Sequence, residues 1–213
     1  MTTTGFDTSG ASLIVVGVSY YYGPGGQDPT ITDSKVGNSW TPLTLRFTSF
    51  SCAHQFFYCL NPAVGASHTF TSTAIGLFQT VKVVAFSGDS PSFDSQTGTA
   101  VVGTTTMSAD LSPTTYGFSV SGGAFMSNTG FAVAAGGNSD VTQYSGGDHV
   151  AGGLAYDGSS AGFTYAPVWT WDATGDGAMS NAQFTFLQNL PAMGGRFHRI
   201  VTRPAAFRPG IAR

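Results

Sequence analysis

Apolar and polar residues alternate along the chain in short runs that are separated by glycine, proline and small polar residues. Residues 12–22 begin with consecutive apolar positions, which predicts a central strand buried on both faces and ended by the glycines and proline of 23–26. Residues 40–47 alternate between apolar and polar positions, which predicts the arm of a hairpin. Between these runs, residues 32–39 are predicted to form a turn.

The same pattern predicts eight further strands, and turn residues separate most of them. They cover residues 55–60, 68–73, 80–87, 116–120, 130–135, 150–156, 163–171 and 182–187. Many short strands at this spacing favour two stacked antiparallel sheets over alternating strands and helices. The pattern therefore predicts an all-β fold, a two-sheet antiparallel β-sandwich, in which the pairs Trp169/Trp171 and Phe184/Phe186 form core layers.

The composition supports strands and an associating surface. Only 9% of the residues are charged, glutamate is absent, and the chain has 29 Gly and 17 Phe. Helical surfaces normally use Glu and Lys, so their scarcity favours strands and tight turns. A surface with so few charges also favours membership of an oligomer or lattice.

Charge is divided unevenly between the body of the chain and its end. Three cationic side chains and all 11 aspartates give residues 1–195 a net charge of −8, and five arginines give residues 196–213 a charge of +5. Pro204 and Pro209 disfavour a helix in this end segment. We therefore predict one β-sandwich domain over 1–195 and a basic, extended C-terminal arm over 196–213.

The arm alternates arginine with apolar residues, which is typical of a peptide that docks into a protein groove or adds to a sheet edge. Its predicted partner-binding residues are Arg196, Phe197, Arg199, Arg203, Phe207, Arg208, Ile211 and Arg213. Arginines can also bind phosphates. The apolar anchors and the acidic body favour a protein partner over nucleic acid.

The two cysteines, Cys52 and Cys59, are separated by an odd number of positions. On one strand they would point to opposite faces. A disulfide would require a turn near Ala53 and His54, and two buried thiols are the favoured interpretation.

Candidate metal and catalytic motifs are weak. Asp172, Thr174 and Asp176 resemble the first half of a calcium loop, but Gln183 stands where that loop needs a bidentate glutamate, and a glycine-rich hairpin turn is favoured instead. The four histidines lack the close spacing of zinc ligands. Asp148 and His149 could form an acid–base pair, although an exposed turn is favoured. We therefore expect no metal, cofactor or catalytic residue.

Nothing at the N-terminus resembles a signal peptide, and no apolar run approaches the roughly 20 residues that span a bilayer. We therefore expect synthesis in the cytoplasm and no membrane insertion.

Several segments together resemble a β-sandwich domain that is common in phage and bacterial genomes and mostly lacks an assigned activity. They are GASLIVV at 10–16, DSKVGNSWT at 33–41, YCLNP at 58–62, HTFT at 68–71, VVAFSG at 83–88 and SPSFD at 90–94, with a weaker match at 167–171. Val36 lengthens the turn relative to that family. The resemblance implies a jelly-roll or concanavalin-like sandwich, a phage structural context, and no catalytic residues to transfer.

The leading hypothesis is a non-enzymatic phage virion protein, a capsid or tail decoration or fibre module assembled in the host cytoplasm. It would bind other virion proteins and copies of itself through the arm. The alternative is a module that binds a host surface glycan through the aromatic residues Tyr20, Tyr21, Tyr22, Tyr144 or Tyr165. A polysaccharide hydrolase or lyase ranks last, because no convergent pair of acidic residues can be named.

Overall fold

The structure is a computed structural model that describes residues 1–24, 28–73, 79–126, 131–134, 138–142, 150–159 and 164–187. Within these ranges no residue is helical, and every strand pairing is antiparallel, which confirms the predicted all-β class. No helix in the described part is therefore long and apolar enough to cross a membrane. The strands are β1 (Leu13–Tyr22), β2 (Ile31–Asp33), β3 (Thr41–Pro42), β4 (Arg46–Phe47), β5 (Ser51–Leu60), β6 (Phe70–Ser72), β7 (Thr80–Phe86), β8 (Ser92–Ser108), β9 (Gly117–Met126), β10 (Phe131–Ala134), β11 (Asn138–Thr142), β12 (Val150–Ser159) and β13 (Val168–Thr185).

The strands form two large sheets and one small one. The first sheet has the order β3-β5-β1-β7, with β4 also paired to β5. The second has the order β10-β13-β9-β12-β11, with β8 also paired to β13, and β2 pairs with β6. As predicted, β1 is a central strand: it pairs with β5 on one side and β7 on the other, and its first eight residues are buried.

Side chains from both large sheets form one buried cluster. Alternate residues of β1, β5 and β7 meet alternate residues of β9, β12 and β13, as the period of a strand requires. The members are Leu13, Val15, Leu43, Phe56, Val84, Phe86, Phe118, Val120, Leu154, Tyr156, Ala182 and Phe184. Phe184 is fully buried and Phe186 packs against the cluster, which confirms that pair as core.

The opposite face of the first sheet is also apolar and has its own cover. Its residues Ile14, Val16, Val18, Val81 and Val83 pack with Ile31 of β2 and Phe70 of β6. Phe6 and Trp40 pack against the same cluster. The N-terminal segment and the β2–β6 pair thus cover a face that would otherwise be exposed to water.

The far face of the second sheet buries both tryptophans of β13. Trp169 and Trp171 are 0% and 4% exposed and pack around Phe125 and Met179, which confirms the predicted core role of the pair. Trp169 Nε1 donates a hydrogen bond to Ser121 Oγ at 2.9 Å, so the indole nitrogen is satisfied inside the protein.

Four observed local structures differ from the predicted ones. The sequence pattern missed β8, because Met107 is the only buried residue along this strand. It also missed β2 within the predicted 32–39 turn, and β11. The predicted hairpin turn at 172–177 is wrong: β13 runs through it, and register shifts between Thr170 and Gly177 absorb the extra residues.

Both cysteines lie on the single strand β5 and not on two sides of a turn, and both are free and buried. Cys52 belongs to a cluster between the large sheets, with Ala124, Val150 and Ala178. Burial raises the pKa of the Cys52 thiol to about 12, which makes it a poor nucleophile. The prediction of two buried thiols is confirmed.

Halfway along the contact between the large sheets, glycines replace large side chains. A Cβ at Gly122 would lie 2.4 Å from His54 Nε2, and one at Gly17 would lie 3.2 Å from the same atom. His54 fills this space and meets the Phe56 ring edge-on, with centroids 4.6 Å apart.

No described group forms a hydrogen bond with His54 Nδ1. Burial lowers the pKa of His54 to about 3, so the fold contains the neutral ring at pH 7.

The burial of neutral His54 predicts that the stability of the fold decreases in acid. Between its unfolded pKa of 6.5 and its folded pKa of about 3, the unfolded chain binds a proton that the folded chain does not. The free energy of unfolding should therefore be highest above pH 6.5 and fall toward acid by up to about 1.4 kcal/mol per pH unit from this residue. Urea unfolding of the wild type and of His54→Gln, from pH 7.5 to 4, measures it. The variant should show a shallower decline, and parallel pH profiles would contradict the assignment.

Candidate functional site

The main polar cluster in the described part of the chain is centred on the carboxylate of Asp33. This group accepts hydrogen bonds from Lys35 N at 2.7 Å, Trp40 Nε1 at 2.7 Å and His68 Nε2 at 3.0 Å. Asn38 Nδ2 donates to both carboxylate oxygens, at 3.1 and 3.2 Å. The Asp33 side chain is 2% exposed, and these donors replace the water that it loses.

The motif around Asp33 explains how one short segment supplies most of these donors. Gly37 has a φ of 97°, a conformation that glycine adopts readily, and this turn folds Lys35 and Asn38 back toward Asp33. Asn38 then exchanges hydrogen bonds with the backbone of Ala63, at 2.6 and 3.1 Å. The additional residue Val36 is 95% exposed, so the longer turn is accommodated by projecting into solvent.

His68 extends the cluster to the N-terminal segment. Because a carboxylate only accepts hydrogen bonds, His68 Nε2 carries a proton, and Nδ1 lies 2.8 Å from Thr8 Oγ1. Thr8 Oγ1 also accepts from Gly65 N at 3.1 Å. The imidazole stacks on Phe70, with ring centroids 4.3 Å apart. The cluster therefore joins residues 1–11, β2, β6 and the 61–67 loop.

Thr8, His68 and Asp33 form the hydroxyl–imidazole–carboxylate sequence that hydrolases use for nucleophilic catalysis. The environment argues against that role here. Thr8 and His68 are each 0% exposed, so a substrate carbonyl has no route to the hydroxyl. The geometry supports a structural role instead, in which the cluster fixes the cover of the first sheet.

A second candidate is an exposed group of aromatic side chains beside the β4–β5 turn, which we call the aromatic patch: Tyr22, Phe47 and Phe50. The rings of Tyr22 and Phe47 have centroids 4.6 Å apart, and Tyr22 pairs in register with Ser51, the neighbour of Phe50. Phe47 is 44% and Phe50 66% exposed. Phe50 has a φ of 60°, which costs a bulky residue about 1–2 kcal/mol. This strained turn presents a ring to solvent.

The predicted glycan-binding tyrosines do not share one environment. Tyr20 and Tyr165 are 0% and 1% exposed, so neither can stack against a sugar, and burial raises the pKa of both phenols. Tyr21 and Tyr22 are partly exposed. Tyr144 lies outside the described residues. The structure thus removes two predicted contacts, and it adds Phe47, which periodicity alone assigned to a hairpin arm, and Phe50, which lies outside every predicted strand.

The other predicted sites carry no described constellation. Thr174 and Asp176 lie within β13 rather than in a loop, and Asp176 Oδ1 accepts from Gly103 N at 3.1 Å. Across the described ranges, no three His, Cys, Asp or Glu side chains are placed to hold a metal ion. Asp148, His149 and the whole arm lie outside the described residues.

One small cleft, of about 230 Å³, lies between residues 8–11 and 85–87. It is lined by Thr8, Ser9, Gly10, Ala11, Ala85, Phe86 and Ser87. This volume is below the range of about 300–1,000 Å³ typical of ligand pockets, and no lining side chain is ionisable. The cleft supports no catalytic assignment.

The Asp33 cluster can be tested by a nearly isosteric change. Asp33→Asn replaces one acceptor oxygen with a donor, which opposes either the donors of Lys35 and His68 at the Oδ1 position or the donor of Trp40 at the Oδ2 position. We expect a loss of about 3 kcal/mol in the free energy of unfolding, measured in urea. Asp94→Asn is the matched control, because Asp94 bonds Thr114 at the protein surface. Equal losses in the two variants would contradict the central role of Asp33.

Comparison of this chain with protein-family models, curated proteins and solved structures finds no match. The resemblance to a phage and bacterial sandwich domain therefore rests on the sequence segments themselves. The structure adds a physical role for one of these segments, because Asp33, Lys35, Gly37, Asn38 and Trp40 all contribute to one cluster. The surface and the charge distribution are therefore the features that bear on function.

Proposed function

We propose that this chain is a non-enzymatic structural protein of a phage virion, a capsid or tail decoration or fibre module that assembles in the host cytoplasm. Its two large sheets would form a jelly-roll or concanavalin-like sandwich, and its C-terminal arm would bind other virion proteins or further copies of the chain. The observation that carries the proposal is the division of charge between an acidic body and an arginine-rich arm.

The described surface offers acidic acceptors for such an arm. Asp7, Asp28 and Asp110 are exposed, and hydrogen bonds from Ser9 lower the pKa of Asp7 and keep it ionised. Arginine pairs well with carboxylates through its planar fork of donors. Apolar residues of the arm, such as Phe207 and Ile211, would add contact area that is insensitive to salt. An extended arm loses conformational entropy on docking, and repeated copies in an assembly would offset that loss through effective concentration.

The arm hypothesis predicts a change in assembly state. Deletion of residues 196–213 should leave a folded body of lower solution mass, measured by light scattering at matched concentration with circular dichroism as a check on folding. The full-length protein should lose mass as salt rises, because screening weakens Arg–Asp contacts.

A full-length control separates charge from chain length. Replacing the five arm arginines with glutamine should reduce assembly as deletion does, whereas replacing them with lysine should retain much of it. Identical masses for the full-length chain and the deletion variant would sink the proposed role of the arm.

The alternative is a module that binds a host surface glycan, and the aromatic patch is the observation that favours it. Exposed rings stack against the apolar faces of sugars, and the strain at Phe50 is the kind of feature that accompanies binding sites. Tyr21 lies beside the patch in sequence and is partly exposed.

A glycan array read with two variants tests this alternative. Phe50→Gly removes the ring and relieves the positive φ, so it should abolish glycan binding without lowering stability. Tyr116→Ala is the matched control, because Tyr116 is another exposed aromatic residue, at 53%, outside the patch. A wild type that binds no glycan, or a Phe50→Gly variant that binds as the wild type does, would reject the alternative.

A further inference from the structure

The outer edge of β8 is a long, exposed sheet edge. One edge of this 17-residue strand pairs with β13, and no strand among the described residues pairs with the other. By contrast, β7 at an edge of the first sheet is buried at all seven positions. Asp94 is the only charged residue in β8. Since sheet edges are normally protected by charges, proline or bulges, this edge has unusually little protection along much of its length.

The protection that β8 does have lies on either side of its central stretch. Its register with β13 shifts near Phe93 and again between Val101 and Thr106, and Gly103 has a φ of 62°. Between these irregularities, Ser95–Val101 pairs with β13 in unbroken register. This stretch of seven residues has the sequence SQTGTAV and contains no charge and no proline. It can accept another strand.

We propose that this edge is a self-association surface, on which β8 of a second copy of the chain adds antiparallel about a twofold axis at Gly98. That centre gives the longest overlap of the regular stretch. Thr97 then lies opposite Thr99 of the second copy, Gln96 opposite Ala100, and Ser95 opposite Val101. The two second sheets would become one continuous sheet across the dimer.

The features of the edge favour a second copy over a different strand. The residues brought opposite one another are small or uncharged, so the pairing is self-complementary. In this register, Asp94 faces Val102, which is 72% exposed, and the two Asp94 carboxylates lie at opposite ends of the interface. Like charges are thus kept apart.

Salt distinguishes this surface from the arm. Among the described residues, the nearest cation is Arg46, whose Nε lies 2.9 Å from the position that a Cβ at Gly98 would occupy. Twofold pairing brings two such guanidinium groups toward each other, so added salt should not weaken the contact. Arg–Asp contacts of the arm would weaken under the same conditions. The proposal does not depend on the role proposed for the arm.

A pair of charge variants of the full-length protein tests the pairing and its register. Thr97→Lys with Thr99→Lys places like charges opposite each other twice, whereas Thr97→Lys with Thr99→Glu places opposite charges there. Sedimentation equilibrium should show dimerisation at least about tenfold weaker for the Lys/Lys variant than for the Lys/Glu variant. Equal dissociation constants, or a wild type that stays monomeric, would overturn the proposal.

Disulfide trapping provides a second readout that is independent of surface charge. In the proposed register, Thr97→Cys with Thr99→Cys brings cysteines of two copies within about 5.5 Å, which allows a disulfide. Ser95→Cys with Thr97→Cys is the matched control, because its cysteines cannot meet in this register. In high salt, where arm contacts are screened, the first variant should form a covalent dimer on oxidation and the control should not. Similar yields from both variants would reject the twofold axis at Gly98.

Discussion

Burial of the Asp33 carboxylate organises the outer layer of this protein. The first sheet is apolar on both faces, so the second large sheet can cover only one of them. The other cover consists of the N-terminal segment, the short β2–β6 pair and connecting loops, which are joined to one another by backbone hydrogen bonds. Removing a carboxylate from water is unfavourable by several kcal/mol unless donors surround it. Lys35, Asn38 and Trp40 supply them from the same segment, and His68 supplies one from 35 positions away, which ties that segment to the rest of the cover.

This arrangement makes the cover specific as well as apolar. Phe6, Trp40 and Phe70 would shield the sheet in many orientations, because hydrophobic contact is not directional. Hydrogen bonds to one carboxylate accept few geometries, and they therefore select one placement of the loop and the N-terminal segment. Thr8, His68 and Asp33 are residue types that carry out catalysis in hydrolases, but here they are buried, and His68 stacks on Phe70. Their burial, rather than their identity, determines what they can do.

Sequence patterns predict the parts of this fold that depend on continuous burial. The apolar start of β1 indicates a central strand because both of its faces are covered, and the Trp169/Trp171 pair indicates a core for the same reason. Strand β8 lacks such a signal, since its side chains lie mostly at the surface and the strand forms through backbone pairing with β13. The sequence pattern does not predict that β13 continues through 172–177, because the glycines and aspartates there are typical of turns.

The polar cluster could be predicted only in part. Asp33, Lys35 and Asn38 stand close together in sequence, and a turn that joins them is visible in the pattern. His68 follows Asp33 by 35 positions, so only the pairing of β2 with β6 brings the two side chains together. Phe50 was missed for a different reason, because a positive φ at a bulky residue contradicts local propensity and is visible only in the backbone.

The scarcity of charge connects the interior of the molecule with its surface. Serine, threonine and glycine let the two large sheets approach closely at Gly17 and Gly122, and the same residue types cover β8. A surface of hydroxyl groups and exposed backbone is well hydrated as a monomer, but it repels another copy only weakly. Lysine-rich edges prevent strand addition through charge, and this chain places no lysine on β8. Among the described strands, this composition leaves the edge of β8 with a single charge, that of Asp94, to oppose the addition of another strand.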